Sequence, residues 1–222
     1  MDVDATSAAH APSATRHDLQ LGRRLFHVVN GTTTATVYAL LLTHEQVIHI
    51  FGTIACVAYV VDRVRLAYPE LVARRAPWAN RLLLRAEEQV RESAMIPYAI
   101  AVLLTIITVP KAAALTAIYT LALADPAAAI VGIRFGRRRI TTHRTVEGSA
   151  AFFVTTAAVT ALVLRYGTLG TPWAITGATL TVALAASACE LVPLRIDDNL
   201  TIPLVVGFVT WIAAALFGVP LP

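Results

Sequence analysis

The sequence predicts an all-α fold: a polytopic integral membrane protein of about seven transmembrane helices, with a cytoplasmic N-terminus and the C-terminus outside. Three observations carry this. Hydrophobic residues make up 57% of the 222 residues and charged residues only 14%, against about 45–50% and about 25% in a soluble domain. Mean hydropathy is +0.67. The charges are also not spread evenly; they separate long charge-poor stretches. Such a composition excludes a disordered chain, a disulfide scaffold and an ordinary water-soluble enzyme.

The spans follow from the charge-free gaps. The first is Leu25–His44, of 20 residues, and the second is Gln46–Val61, of 16. Ser93–Pro110 gives 18, and Ala112–Ile133 gives 22 with Asp125 inside it. Gly148–Leu164 has 17 residues, Tyr166–Cys189 has 24 and Asn199–Pro222 has 24. At 1.5 Å per residue, about 20 residues cross the hydrocarbon, so seven spans fit. The short second span borrows Asp62 and Arg63, whose side chains reach for the interface; a re-entrant Gln46–Val61 would instead leave six. Residues 1–22 are polar, lack periodicity and read as a disordered cytoplasmic tail. Residues 23–222 form one transmembrane catalytic domain, without a cleavable leader or an internal repeat. Cys56 and Cys189 lie in apolar stretches and read as small buried hydrophobes.

Basic residues set the orientation. Of the 18, only Lys111 and Arg165 fall on one side of the predicted membrane. The other sixteen lie before the first span, or between spans two and three, four and five, and six and seven. The positive-inside rule makes that side cytoplasmic. The net charge of +4 is therefore a topology signal, and nucleic acid is not an expected partner. Carboxylates crowd the same face, whereas Glu45 alone lies on the outer side. Chemistry confined to one face suits an enzyme acting at the membrane surface. A transporter, or a non-enzymatic lipid-binding protein, is the less favoured reading, because polar groups do not run along a transmembrane path.

Asp125 lies nine residues before Arg134, about 13 Å deep if the segment is helical. A carboxylate at that depth is a functional-site candidate. Ala128 or Ala129, Gly132 and Gly136 follow it at helical spacing. This smooth strip serves close helix packing, or lets a phosphate chain approach the backbone, or both. Arg134, Arg137 and Arg144 offer planar forks for phosphate. Thr145, Glu147 and Gly148 open the next helix, where free amides favour an anion. Glu190 sits in an apolar segment, and Asp198 and Asn199 begin the last span. Together with Asp125, Glu190 and Asp198 make an oxygen donor set suited to Mg²⁺. Arg23, Arg24 and His27 share one helical face at the inner boundary. No Gly-x-x-x-x-Gly-Lys-Ser/Thr loop exists, so a P-loop ATP site is excluded.

The segments RRLFH, DPAAAIVGIRFGRRR, HRTVEGSAAFF and E…DDNLTIPL, in that order, resemble the CTP-dependent lipid-alcohol kinases: dolichol kinase, phytol kinase and the yeast-type diacylglycerol kinase. The resemblance covers about residues 21–210, and a more distant one is to the CDP-diacylglycerol synthases. By resemblance, Arg23, Arg24, Asp125, Gly132, Gly136, Thr145, Glu147, Gly148, Glu190, Asp198 and Asn199 fall on motif positions. Arg144 stands where lysine is usual, Arg24 is the second basic residue of the first motif, and Pro126 is an unusual choice after the aspartate. The resemblance implies Mg²⁺-dependent phosphorylation of a membrane lipid alcohol by CTP, giving its monophosphate. Asp125 then either takes the alcohol proton or holds the metal. The preference for CTP comes from the resemblance alone. The alternative is phosphatidate cytidylyl transfer, which would use the same arginines and carboxylates to attack the α-phosphate. Both readings place an active site on the cytoplasmic face.

Overall fold

A computed structural model describes residues 16–70, 95–141, 144–192 and 198–221. Among the described residues, seven helices account for nearly all regular structure. They are α1 (Arg16–Leu40), α2 (His44–Ala67), α3 (Met95–Thr108), α4 (Lys111–Phe135), α5 (Val146–Gly167), α6 (Pro172–Leu191) and α7 (Asp198–Phe217). The one β feature described is an isolated antiparallel bridge between Arg139 and Thr145. Five helices, α2 and α4 to α7, are long and apolar enough to cross a membrane. This is the build of a multi-pass membrane protein.

α4 is the central helix. It packs against α1, α5 and α7 and more lightly against α3, while α6 bridges α5 and α7. Its sequence explains its position. Ala112, Ala113, Ala114, Ala117, Ala122 and Ala124 are all buried, and small side chains let neighbouring backbones close in. Pro126 lies inside α4, which nonetheless runs unbroken to Phe135. The expected disruption is confined to the one helix hydrogen bond that proline cannot donate. Larger side chains point outward: Leu162, Leu184 and Leu216 are exposed at 57%, 61% and 75%. Such a surface suits a lipid solvent.

Turn chemistry ends the helices where the chain reverses. Thr43 caps α2 in a capping box with Gln46, Thr145 caps α5, and Thr171 caps α6 with Pro172 in its first turn. Lys111, at the start of α4, donates to the carbonyls of Ala39 and Leu42 at 3.3 and 3.4 Å. Its ammonium also sits 5.0 Å from the Tyr38 ring centroid. The lone lysine thus closes the C-terminal end of α1 and has a structural task.

The helices depart from the charge-gap spans at three places. α1 begins at Arg16, inside the segment 1–22 assigned to a tail, because a helix continues into water past the last apolar residue; residues 1–15 lie outside the described residues. α2 is 24 residues long and continuous, running past the expected end at Val61. Asp62 is buried and pairs with Arg65 at 2.5 Å. An internal ion pair lets the helix carry both charges past the expected end. Arg63 instead lies over the Tyr59 ring at 5.3 Å. α3 has only 14 residues, and the start of its expected span at Ser93 falls outside the described residues. Cys56 is exposed on α2 rather than buried, and Cys189 is half-buried. An apolar stretch signals apolar surroundings, which lipid supplies as well as protein does.

Candidate functional site

The end of α4, the start of α5, the end of α6 and the start of α7 come together at one end of the bundle. Gly136 ends α4, its N–H donating to the Gly132 carbonyl at 3.1 Å. The chain then doubles back through the Arg139–Thr145 bridge. Val146 N–H donates to the Arg138 carbonyl at 2.9 Å, and Ile140 N–H to the Arg144 carbonyl at 2.9 Å. Thr145 then opens α5, its hydroxyl accepting from Gly148 N–H at 3.1 Å.

The glycines hold α4 and α5 in close contact. A Cβ added to Gly148 would meet the Ala128 carbonyl oxygen at 2.9 Å and Thr145 Oγ1 at 3.0 Å. One added to Gly132 would meet the same Thr145 oxygen at 3.0 Å. Close packing is therefore one task of the strip. The same residues also floor a cavity of about 400 Å³, lined by Gly132, Gly136, Gly148 and Thr145 together with Arg24, Arg139, Arg144, Ser149 and Glu190. That volume is in the range of small-molecule sites.

Arg144 is the hub of the cavity wall. Its Nη1 donates to Glu190 Oε1, and its Nη2 donates to Asp198 Oδ2 at 2.8 Å. One guanidinium thus ties the loop before α5 to the end of α6 and the start of α7. Ser149 Oγ donates to the other Glu190 oxygen at 3.1 Å. The Glu190 side chain is 1% exposed and that of Asp198 52%, so Glu190 is the buried anchor and Asp198 the open partner. A carboxylate buried in an apolar helix is tolerated because both its oxygens are satisfied.

Asp125 lies one layer deeper in α4, within electrostatic range of His27, Arg144, Asp198 and Arg24. Gly132, Gly136, Arg144, Thr145, Gly148, Glu190 and Arg24 are thus gathered around one cavity, with Asp125 and Asp198 beside it. Arg134 and Arg137 are not in its described lining. Arg134 turns onto the Phe135 ring at 5.6 Å. The bend at Gly136 brings Arg139 to the wall in their place. Glu147 serves the loop: its carboxylate accepts from Arg138 N–H at 3.4 Å. Asn199 is the second residue of α7. Arg23 lies in α1, with its side chain outside the described residues.

Arg139 and Ser149 escaped the sequence reading. Their signal was present in the arginine run and in the residue after Thr-x-Glu-Gly, but their direction depends on how the loop folds back. The metal expectation also changes form. Among the described residues, no group of three His, Cys, Asp or Glu side chains is placed to hold a metal ion, because Glu190 and Asp198 both face Arg144. A magnesium delivered by a nucleotide would need only one or two of these carboxylates, its shell completed by phosphate and water. Glu190 and Asp198 pair with Arg144, and Asp125 lies within electrostatic range of the same guanidinium.

No known family profile matches the chain, and no solved structure matches it. The chain is similar to the protein named "Uncharacterized protein MJ1137" of Methanocaldococcus jannaschii. The two are 30% identical over 185 residues, covering 75% of this chain and 91% of the relative. At that identity over nearly all of the relative, the chain belongs to the family of this archaeal protein, MJ1137.

Proposed function

We propose that the protein is a CTP- and Mg²⁺-dependent kinase of a membrane lipid alcohol such as a polyprenol, phytol or diacylglycerol. The observation that carries the reading is the glycine-floored cavity walled by Arg24, Arg139 and Arg144 at one end of a membrane-type bundle. A soluble polyanion reaches such a site from water, and a lipid reaches it from the bilayer. Arg144, Arg24 and Arg139 neutralise charge that spreads over the transferring phosphoryl group, the main requirement of this chemistry. Gly132, Gly136 and Gly148 leave the backbone bare for the phosphate chain to approach. Asp125 would either hold the magnesium, which would neutralise phosphate charge, or accept the alcohol proton. The alcohol oxygen attacks the terminal phosphorus, the bond to the bridging oxygen breaks, and CDP leaves. The choice of CTP rests on the ordered motifs.

The test is purified protein in vesicles with γ-labelled CTP, magnesium and a panel of the three alcohols. Label on the lipid is the expected result. Pyrophosphate release with CMP joined to phosphatidate would move the protein to the cytidylyltransferases. No reaction in folded protein would favour a transport or lipid-binding role.

The same reading places seven spans in the bilayer, with the cavity and the N-terminus facing the cytoplasm. The motive is that sixteen of 18 basic residues fall on one side. A reporter fused after Pro222 should then lie outside and one inserted near Arg139 inside. Both on the same side would overturn the arrangement.

A further inference from the structure

Deeper than the arginine wall, α1, α3 and α4 meet at a corner that the phosphate chemistry leaves unused. Tyr98, from α3, sets its ring edge-on to His27 of α1, with centroids 5.3 Å apart and an interplanar angle of 66°. Its hydroxyl is buried and has no hydrogen-bond partner among the described residues. Gly31 lets α1 close on α4 beside it. A Cβ there would meet Ala122 Cβ at 2.6 Å and the Tyr98 hydroxyl at 3.5 Å. Gly31 is one turn from His27 along α1, and Ala122 is three residues before Asp125 on α4. His27 also heads the charged groups acting on Asp125. The corner therefore adjoins the candidate reaction centre.

A buried phenol hydroxyl that forgoes water without gaining a partner carries a cost in the free protein. A ligand that brings a hydrogen-bonding group on an apolar body removes that cost. We propose that the Tyr98–His27 corner is the docking place of the acceptor's hydroxyl, with Tyr98 as the positioning residue that bonds it beside Asp125. This rests on the lipid-alcohol reading of the site. It adds where the acceptor sits and what selects an alcohol over an ether or a hydrocarbon. A primary alcohol both donates and accepts, so it satisfies Tyr98 and a second polar neighbour together. An ether offers acceptance alone.

Two measurements test this separately from turnover. The first uses a diazirine-bearing long-chain primary alcohol and its methyl ether as photoprobes on the wild type in vesicles. The alcohol should label α1 and α3 near His27 and Tyr98 more than the ether does. Tyr98→Phe should remove that preference without lowering thermal stability. The second is kinetic: Tyr98→Phe should raise the acceptor KM by about tenfold, the effect of one lost hydrogen bond, and leave the KM for CTP unchanged. Equal labelling by the two probes, or labelling elsewhere, overturns the docking place. Turnover with an unchanged acceptor KM in Tyr98→Phe also overturns it and leaves the kinase reading standing. Selective alcohol labelling at the corner without CTP turnover overturns the kinase reading and leaves the docking place standing.

Discussion

Asp125→Asn should lower turnover at least about a thousandfold, or about 4 kcal/mol of activation free energy, while the protein still inserts and folds. Asparagine keeps the shape of the side chain and removes only its charge. Asp125 sits partly buried in the central helix, in range of His27, Arg24 and Arg144. A carboxylate kept in an apolar helix is expensive to bury. Its neutralisation should therefore leave the melting temperature in detergent unchanged or raise it. Loss of turnover with stability kept is the signature of a group held for chemistry. Activity within about tenfold of wild type would make Asp125 a structural residue and leave the metal and proton roles without a candidate.

The limits of the sequence follow from what charge and periodicity encode. Charge-free gaps located the seven described helices, because apolar length is a local property. They misplaced the ends of α1 and α2 because an end depends on partners. Arg16 begins a helix that continues into water, and Asp62 stays inside α2 because Arg65 neutralises it. The site divides the same way. Motif spacing picked out Gly132, Gly136, Thr145 and Gly148, whose small size and capping chemistry are visible in the residue type. Whether the glycines served packing or phosphate stayed open, and the contact of Gly148 with the Ala128 carbonyl shows that packing is one of their tasks. Pairings across helices were not legible. Arg144 and Glu190 are 46 residues apart, and nothing local joins them. The direction of Arg139, against that of Arg134 and Arg137, is decided by one bend at Gly136 and one bridge to Thr145. Tyr98 carried no sequence signal, since a tyrosine in an apolar helix is ordinary until its hydroxyl is found buried among small residues.

Arg144 separates the two demands on the cavity wall, holding the helix ends and gripping phosphate. Its fork spans Glu190 and Asp198 from one planar group, which an ammonium cannot reproduce. Arg144→Lys should keep a charge near Glu190 and fold. It should lose the two-sided grip, and with it about a hundredfold in turnover, comparable to removing one transition-state donor. Arg144→Ala should do more, because it leaves Glu190, whose side chain is 1% exposed, with Ser149 as its one described partner. Breaking a buried pair on one side costs roughly 3 kcal/mol, so this variant should unfold at clearly lower temperature. Adding Glu190→Gln to Arg144→Ala should recover most of the lost stability and none of the turnover, since the uncompensated charge is gone while the phosphate-binding fork is still missing. Recovery of turnover in the double variant would show that Arg144 acts only as a strut. Equal stability in all three variants would show that the Arg144–Glu190 pair contributes little to the fold, and that the end of α6 is held by other contacts.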